Sequence, residues 1–408
     1  MFPLEQKRLL ALDGGGIMGL ISLQILKEME DQLAARSANP GNFRLRDFFD
    51  YIGGTSTGAI IGAALALGWS VGEIIDFYER AGPRMFKYAY IWQWLRHKFD
   101  CEPLALMLRK EIGEETVLDL QRRGKLSETK HLLIVTQNIS SNSPWPISTN
   151  PKAKYNDEAF EECNRRVPLW QWVRASTAAP TYFPPQAIAL RAGDRASIRK
   201  FEDGGVTSYN NPAFLLYRMA TLPEYRCAWR DGEGTMMLVS VGAGCVAVPE
   251  PHVNARGRLL STNARQVASG LMQRISTEND ILCRTIGRCV FGAEIDREIG
   301  SLAYPLYAGA AGLGQRFLYA RYDPDVSDTG LIQMGLGHLT GRRLAMDDVS
   351  QIEVFSAIGR AYAKNVDMQA HFGPFLLMQD ADVPLPPMPI TISNASAIAP
   401  EAGGYRDA

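Results

Sequence analysis

Short apolar runs along this chain alternate with longer stretches of helical periodicity. Strand-like runs recur at Arg8–Asp13, Asp50–Gly53, His131–Thr136, Ile198–Phe201 and Met236–Val241. Helical patterns lie between them, at Ile17–Arg36, Ala59–Leu67, Val71–Arg80, Leu104–Ile112, Leu169–Ala178 and Pro212–Ala220. This alternation predicts an α/β fold, a sheet covered by helices on both faces. Residues 7–245 read as one such unit. Residues 246–380 read as a mostly helical portion, with helices expected over Ala264–Ile286 and Phe355–Gln369. The proline-rich stretch 381–408 reads as an extended tail. Ligand sites of open α/β sheets lie just past the carboxyl ends of strands, so the strand ends carry the search for chemistry.

Three of those ends are informative. After the second strand comes Gly54-Thr55-Ser56-Thr57-Gly58, a G-x-S-x-G pentapeptide running straight into a helix. A strand, a strained turn and small neighbours are what a nucleophile elbow needs, although a plain glycine-punctuated turn has the same look. After the first strand, Asp13 is followed by Gly14, Gly15 and Gly16, then by Gly19 inside a nascent helix. Backbones without Cβ approach a ligand closely, and N–H groups at a helix start make an anion site. After the fourth strand, Asp203 precedes Gly204 and Gly205. It reads either as a carboxylate placed to accept a serine proton or as an Asx turn.

Together these segments resemble the patatin-like phospholipases, whose D-G-G-G-x-x-G loop, G-x-S-x-G nucleophile and D-G-[AG] aspartate occur in this order. Two further stretches, Ala175–Pro185 and Leu238–Gly244, resemble the family segments that wall the acyl site and form a late core strand. The resemblance covers residues 7–245 and implies a three-layer sandwich. It implies a Ser56–Asp203 dyad, an oxyanion loop of Gly14, Gly15, Gly16 and Gly19, and a lipid ester as substrate. The chain departs from the family pattern at Met18, where a basic residue is usual, so a side-chain grip on a phosphate from this loop is not expected. An exposed aspartate is a weak base, so the dyad demands an enclosed site that raises Asp203 towards neutrality.

Composition narrows the partners. The 408 residues carry a net charge of −1 and no basic block, which excludes a nucleic-acid polymer. Six scattered cysteines, with no C-x-x-C spacing, fit reduced thiols in the cytoplasm. Met1–Arg8 runs directly into a strand, leaving no room for a cleavable leader, and the longest apolar stretch, Ala59 to Trp69, falls short of the ~20 residues of a span. A soluble protein acting at the inner membrane surface follows. No metal or cofactor is expected. Between Arg84 and Phe99, Phe86, Tyr88, Tyr90, Trp92 and Trp94 sit among cations with no acid, which suits a membrane interface or a packed lid. Thr277–Cys289 is similar to a segment of the cyclic-nucleotide-activated phospholipase effectors of bacterial antiphage (CBASS) systems. That likeness implies a cyclic di- or trinucleotide activator, with Arg274, Arg284 and Arg288 either facing its phosphates or salt-bridged on a helix. A second copy of the chain is a further partner to test. Three rival readings remain at this stage, one of them a binding or storage protein with a dormant site, against which intact Ser56 and Asp203 speak. A Ser-His-Asp triad would use His252 or His338, with His97, His131 and His371 as the other histidines. Gly14-x-Gly16-x-x-Gly19 also matches a dinucleotide fingerprint, which wants an acid at the end of the second strand where this chain has Gly53 and the serine turn.

Overall fold

A computed structural model describes residues 5–85, 99–245, 260–304 and 315–376, with backbone alone over 260–269. The compact unit ends at Leu376, and residues 377–408, which include the expected tail, lie outside the described part. So does most of the aromatic segment, residues 86–98.

One nine-stranded sheet organises the unit. Its strands are β1 (Lys7–Leu12), β2 (Tyr51–Thr55), β3 (His131–Asn138), β4 (Ser143–Ser148), β5 (Gln186–Ala189), β6 (Ile198–Asp203), β7 (Met236–Val241), β8 (Arg288–Phe291) and β9 (Leu318–Tyr322). They run in the order β5-β6-β3-β2-β1-β7-β9-β8, with β4 paired to β3 off this path. From β3 to β8 every neighbour is parallel, while β4, β5 and β6 pair antiparallel. A parallel sheet is buried on both faces, and its side chains alternate between two cores. Leu10 and Leu12 join the core beneath helices Gly19–Ala34, Thr57–Leu67 and Ile352–Ala363. Leu9 and Ala11 join the core beneath Ala213–Thr221. The three-layer α/β sandwich expected from the alternation is the fold.

The stretch expected to be mostly helical contains the long helix Leu260–Ile286, but it also supplies β8 and β9 to the sheet. Both strands are short, and β9 is fully buried. A buried five-residue run without periodicity carries little strand signal. β4 was missed because its two prolines read as breakers; on an edge they are tolerated.

The register of β3 explains the site. β4 takes one edge of β3 from Leu133 to Asn138, so the other edge must hold both β2 and β6. β2 pairs there up to Thr55 opposite Val135, and β6, running the other way, ends with Asp203 opposite Thr136. The carboxyl ends of two strands separated by more than 140 residues therefore meet head-on at adjacent positions of β3.

Candidate active site

Ser56 stands in the turn between β2 and helix Thr57–Leu67, with φ +56° and ψ −121°. A non-glycine residue held there costs roughly 1–3 kcal/mol, and its neighbours explain how the turn is held. An ideal Cβ at Gly54 would lie 2.1 Å from the Gly58 carbonyl oxygen, and one at Gly58 would lie 2.3 Å from that of Leu12. The helix thus sits directly on the strand, and only glycine fits at either position. The Ser56 N–H donates to Ser176 Oγ at 2.9 Å, and that hydroxyl donates to the Val135 carbonyl at 2.7 Å. The segment Ala175–Pro185 therefore pins the turn to β3.

Asp203 ends β6 and is 1% exposed. Its Oδ1 accepts the Gly205 N–H at 2.7 Å, so the Asx geometry considered for it is present. The Ser56 hydroxyl faces this carboxyl and favours its charged form. Burial pushes the group up to about 7, against the pull of the Ser56 and Gly205 hydrogen bonds and of Arg174. Gly204 lies against Val135, where a Cβ would come within 2.3 Å of the carbonyl oxygen.

The glycine loop closes over the same point. A Cβ at Gly14 would lie 3.2 Å from Ser56 Cβ and 2.4 Å from Asn210 Oδ1. Two of the four donors expected here are engaged elsewhere: Gly14 N–H donates to the Asn210 carbonyl at 3.1 Å, and Gly19 N–H caps the Gly16 carbonyl. Gly19 instead provides contact with Thr57, whose Oγ1 would lie 2.5 Å from a Cβ there. The N–H groups of Gly15 and Gly16 meet no acceptor among the described residues. Gly16 has φ +58° and abuts the Met346 carbonyl, which also accepts the Ile17 N–H at 2.8 Å.

Sequence reasoning missed three supports. Arg321, on β9, forks onto Asp13 with bonds of 2.8 and 2.6 Å and also reaches Ser240 and Asp323. Burial works against its charge, but Asp13 and Asp323 outweigh it. The Met346 backbone holds the loop from a region after residue 340, and Asn210 wedges between Gly14 and Gly205. Separations of hundreds of residues hid the first two. Asn210 was the accessible signal, since it follows the Asp203-Gly204-Gly205 motif closely.

Ser56, Asp203, Gly15 and Gly16 share a cavity of about 160 Å³ whose walls include Ile60, Tyr78, Met85, Leu104, Phe183 and Met272. Beyond the loop opens a larger cleft of about 900 Å³ with mixed polar and apolar walls, bordered by Asn210, Gln273, Thr277, Arg321, Arg343 and Asp347. No histidine lines the cavity among the described residues. His131 is stacked on Trp229 at the amino end of β3, His371 bonds Tyr322, and His338 is exposed; His97 and His252 fall outside the described residues. The second strand ends in the serine turn, without the acid a dinucleotide site needs. Arg284 is committed to Asp280 and two carbonyls, and Arg288 to Glu233 at 2.7 Å. Both are thus salt-bridged, Arg284 while lining the larger cleft, whereas Arg274 is exposed.

The model of the patatin-like phospholipase family matches residues 10–217, just over half of the chain. A cGAMP-activated phospholipase of Vibrio cholerae serotype O1 is 32% identical over 223 residues, 52% of this chain and 57% of its own. Patatin group J-1 of Solanum tuberosum is 30% identical over 253 residues, 59% of this chain and 61% of its own. The chain thus matches about three fifths of the length of these curated relatives. Human GIVD cytosolic phospholipase A2 aligns over 91% of this chain and 59% of that one at 14% identity and a TM-score of 0.38, too loosely to carry an argument. With the loop, the serine turn and the aspartate meeting at one point and the family model spanning all three, the chain belongs to the patatin-like phospholipase family.

Proposed function

We propose that this protein is a lipid acyl hydrolase that cleaves fatty-acyl esters of membrane phospholipids with Ser56 and Asp203. The observation that carries the reading is Ser56 sharing an apolar cavity with a buried carboxyl raised to about 7, under two uncommitted glycine N–H groups. Ser56 Oγ attacks the acyl carbonyl carbon while its proton passes to Asp203. Gly15 and Gly16 N–H donate to the developing oxyanion. The ester C–O bond breaks and the leaving alcohol takes the proton from Asp203. Water then gives a proton to Asp203 and its oxygen attacks the acyl carbonyl; the bond to Ser56 Oγ breaks, Asp203 returns the proton to that oxygen, and the fatty acid leaves. A base near neutrality suits this work. No helix among the described residues is long and apolar enough to cross a membrane. In this reading the substrate is met at the cytoplasmic surface of the bilayer.

The same proposal includes regulation by a cyclic di- or trinucleotide, in support of which stand the cGAMP-activated relative and the larger cleft beside the glycine loop. An activator works only through different affinities for resting and active states. The test is fatty-acid release from phospholipid vesicles by mass spectrometry, with and without a panel of cyclic nucleotides. Wild-type release, stimulated by one member and absent in Ser56→Ala and Asp203→Ala, is the expected result. Release that survives in folded Ser56→Ala overturns the dyad. Release indifferent to the panel, with no binding by calorimetry, overturns the regulation alone.

A further inference from the structure

Arg174 is an odd residue to find where it is. It lies on helix Leu169–Ser176, is 1% exposed, and packs its guanidinium over the Phe183 ring at 5.2 Å. Nη2 donates to the Pro184 carbonyl at 3.3 Å, while Nε and Nη1 are sealed from solvent without a hydrogen-bond partner. Burial works against its charge, and the neighbouring Cys101 side chain, by charge and hydrogen bonding, supports it. Among the described residues no carboxylate bonds its Nε or Nη1. Burying a cation this way is costly, and an apolar side chain of similar length would fill the space. Asp203 is tied to the end of the same helix, its N–H donating to the Ala178 carbonyl at 3.1 Å just past Ser176, and it is the carboxylate that feels the Arg174 charge. Phe183, on which Arg174 rests, walls the cavity that holds Ser56 and Asp203.

We infer that Arg174 is a positioning residue for the proposed chemistry, a sealed cation whose field keeps the Asp203 carboxylate ionised and able to accept the Ser56 proton. The inference rests on the dyad reading. The missing contact is what makes Arg174 useful. Arg321 grips Asp13 through two direct bonds and occupies the lone pairs of that carboxylate. Arg174 acts across a gap, so Asp203 keeps a lone pair for the serine proton while its charge is still favoured. Sealed from solvent, the guanidinium cannot reach substrate. The remaining groups facing Asp203 are few. Ser56 and the Gly205 N–H stabilise its charged form, and Glu202 on its own strand opposes it. β3 brings Val135, and helix Leu260–Ile286 brings Met272 beside Gly205, neither of which titrates.

The experiment is the pH profile of kcat/KM on a short soluble ester, using the full chain. Arg174→Met is expected to move the acidic limb up by about one pH unit or more, since a buried carboxyl without its cation holds its proton longer. At pH 6.5 its rate should fall about tenfold, while at pH 9 it should stay within about threefold of wild type. Arg174→Lys, which keeps a charge, should restore most of the limb position. Removal of an unpaired buried cation should leave the unfolding temperature unchanged or higher. Arg174→Gln is the second neutral variant, read in the same way if the Met variant folds poorly. A limb that stays put in a folded neutral variant, or a rate lost equally at every pH, overturns the inference and leaves a packing role. Persistence of hydrolysis in Ser56→Ala would instead remove the dyad on which it rests.

Discussion

At the scale of single residues, the decisive quantity is the environment of Asp203. Its ordinary value is 3.8, and burial carries it to about 7 in the folded protein. Between those values the native state binds more protons than the unfolded chain, so native stability falls as pH rises from about 4 to about 7. Asp203→Asn keeps the shape and removes that penalty. The variant should be inactive, yet more stable than wild type at pH 8 by roughly 1–4 kcal/mol, with the gain nearly absent at pH 4. Urea midpoints at the two pH values measure it; equal shifts at both would mean that Asp203 is not buried as an anion. Wild-type hydrolysis should in turn climb through pH 6–8, because only the deprotonated carboxyl takes the serine proton.

At the scale of elements, the strand-turn-helix around Ser56 stores strain for position. Ser56 occupies a positive-φ conformation that glycine adopts without penalty. Ser56→Gly and Ser56→Ala should both be inactive. The glycine variant should nevertheless be more stable than the alanine variant by roughly 1–2 kcal/mol. Thermal or chemical denaturation of the pair checks this, and an alanine variant of equal stability would show that the turn is relaxed. Gly58→Ala is the opposite case. Its Cβ would run into the Leu12 backbone, a collision no rotamer relieves, so a loss of at least roughly 3 kcal/mol is expected. The loop Gly14–Gly16 is held from two other elements, by the Asn210 carbonyl and by the Met346 carbonyl. Its geometry is therefore a property of the assembled fold rather than of the glycines alone.

At the scale of the whole molecule, residues beyond the family match complete the site. β9 lies inside the sheet between β7 and β8, and its Arg321 binds the aspartate that opens the glycine loop. Arg321→Leu would leave Asp13 buried without its cation, a change that costs roughly 3–5 kcal/mol. A large fall in the denaturation midpoint is expected, together with loss of hydrolysis. Asp13→Asn in the Arg321→Leu background should recover part of the stability, because it removes the stranded charge. A fragment ending at residue 245 contains every expected motif but lacks β8, β9 and Arg321. It should expose the β7 edge and fail to give a cooperative unfolding transition, whereas a well-folded, active fragment would show that the later strands are accessory.

Local chemistry was legible in the chain. Strand-helix alternation predicted the sandwich because a parallel sheet needs crossover helices. Glycine spacing predicted the loop and the serine turn because only a residue without Cβ fits where backbones touch. Chain order placed Ser56 and Asp203 at strand ends, and family resemblance paired them. Other features arose only from the packed fold. The head-on meeting of β2 and β6 depends on the register along β3, which no local pattern encodes. The commitment of Gly14 and Gly19 N–H to neighbouring carbonyls follows from where Asn210 and the first helical turn settle. For Arg284 and Arg288 the sequence left phosphate contact and salt bridging open, because it shows charge but not partner, and the fold gave each an acid. The about-7 carboxyl of Asp203 comes from desolvation set against the pull of Ser56, the Gly205 N–H and Arg174, a balance set by three-dimensional burial rather than by the identity of the residue.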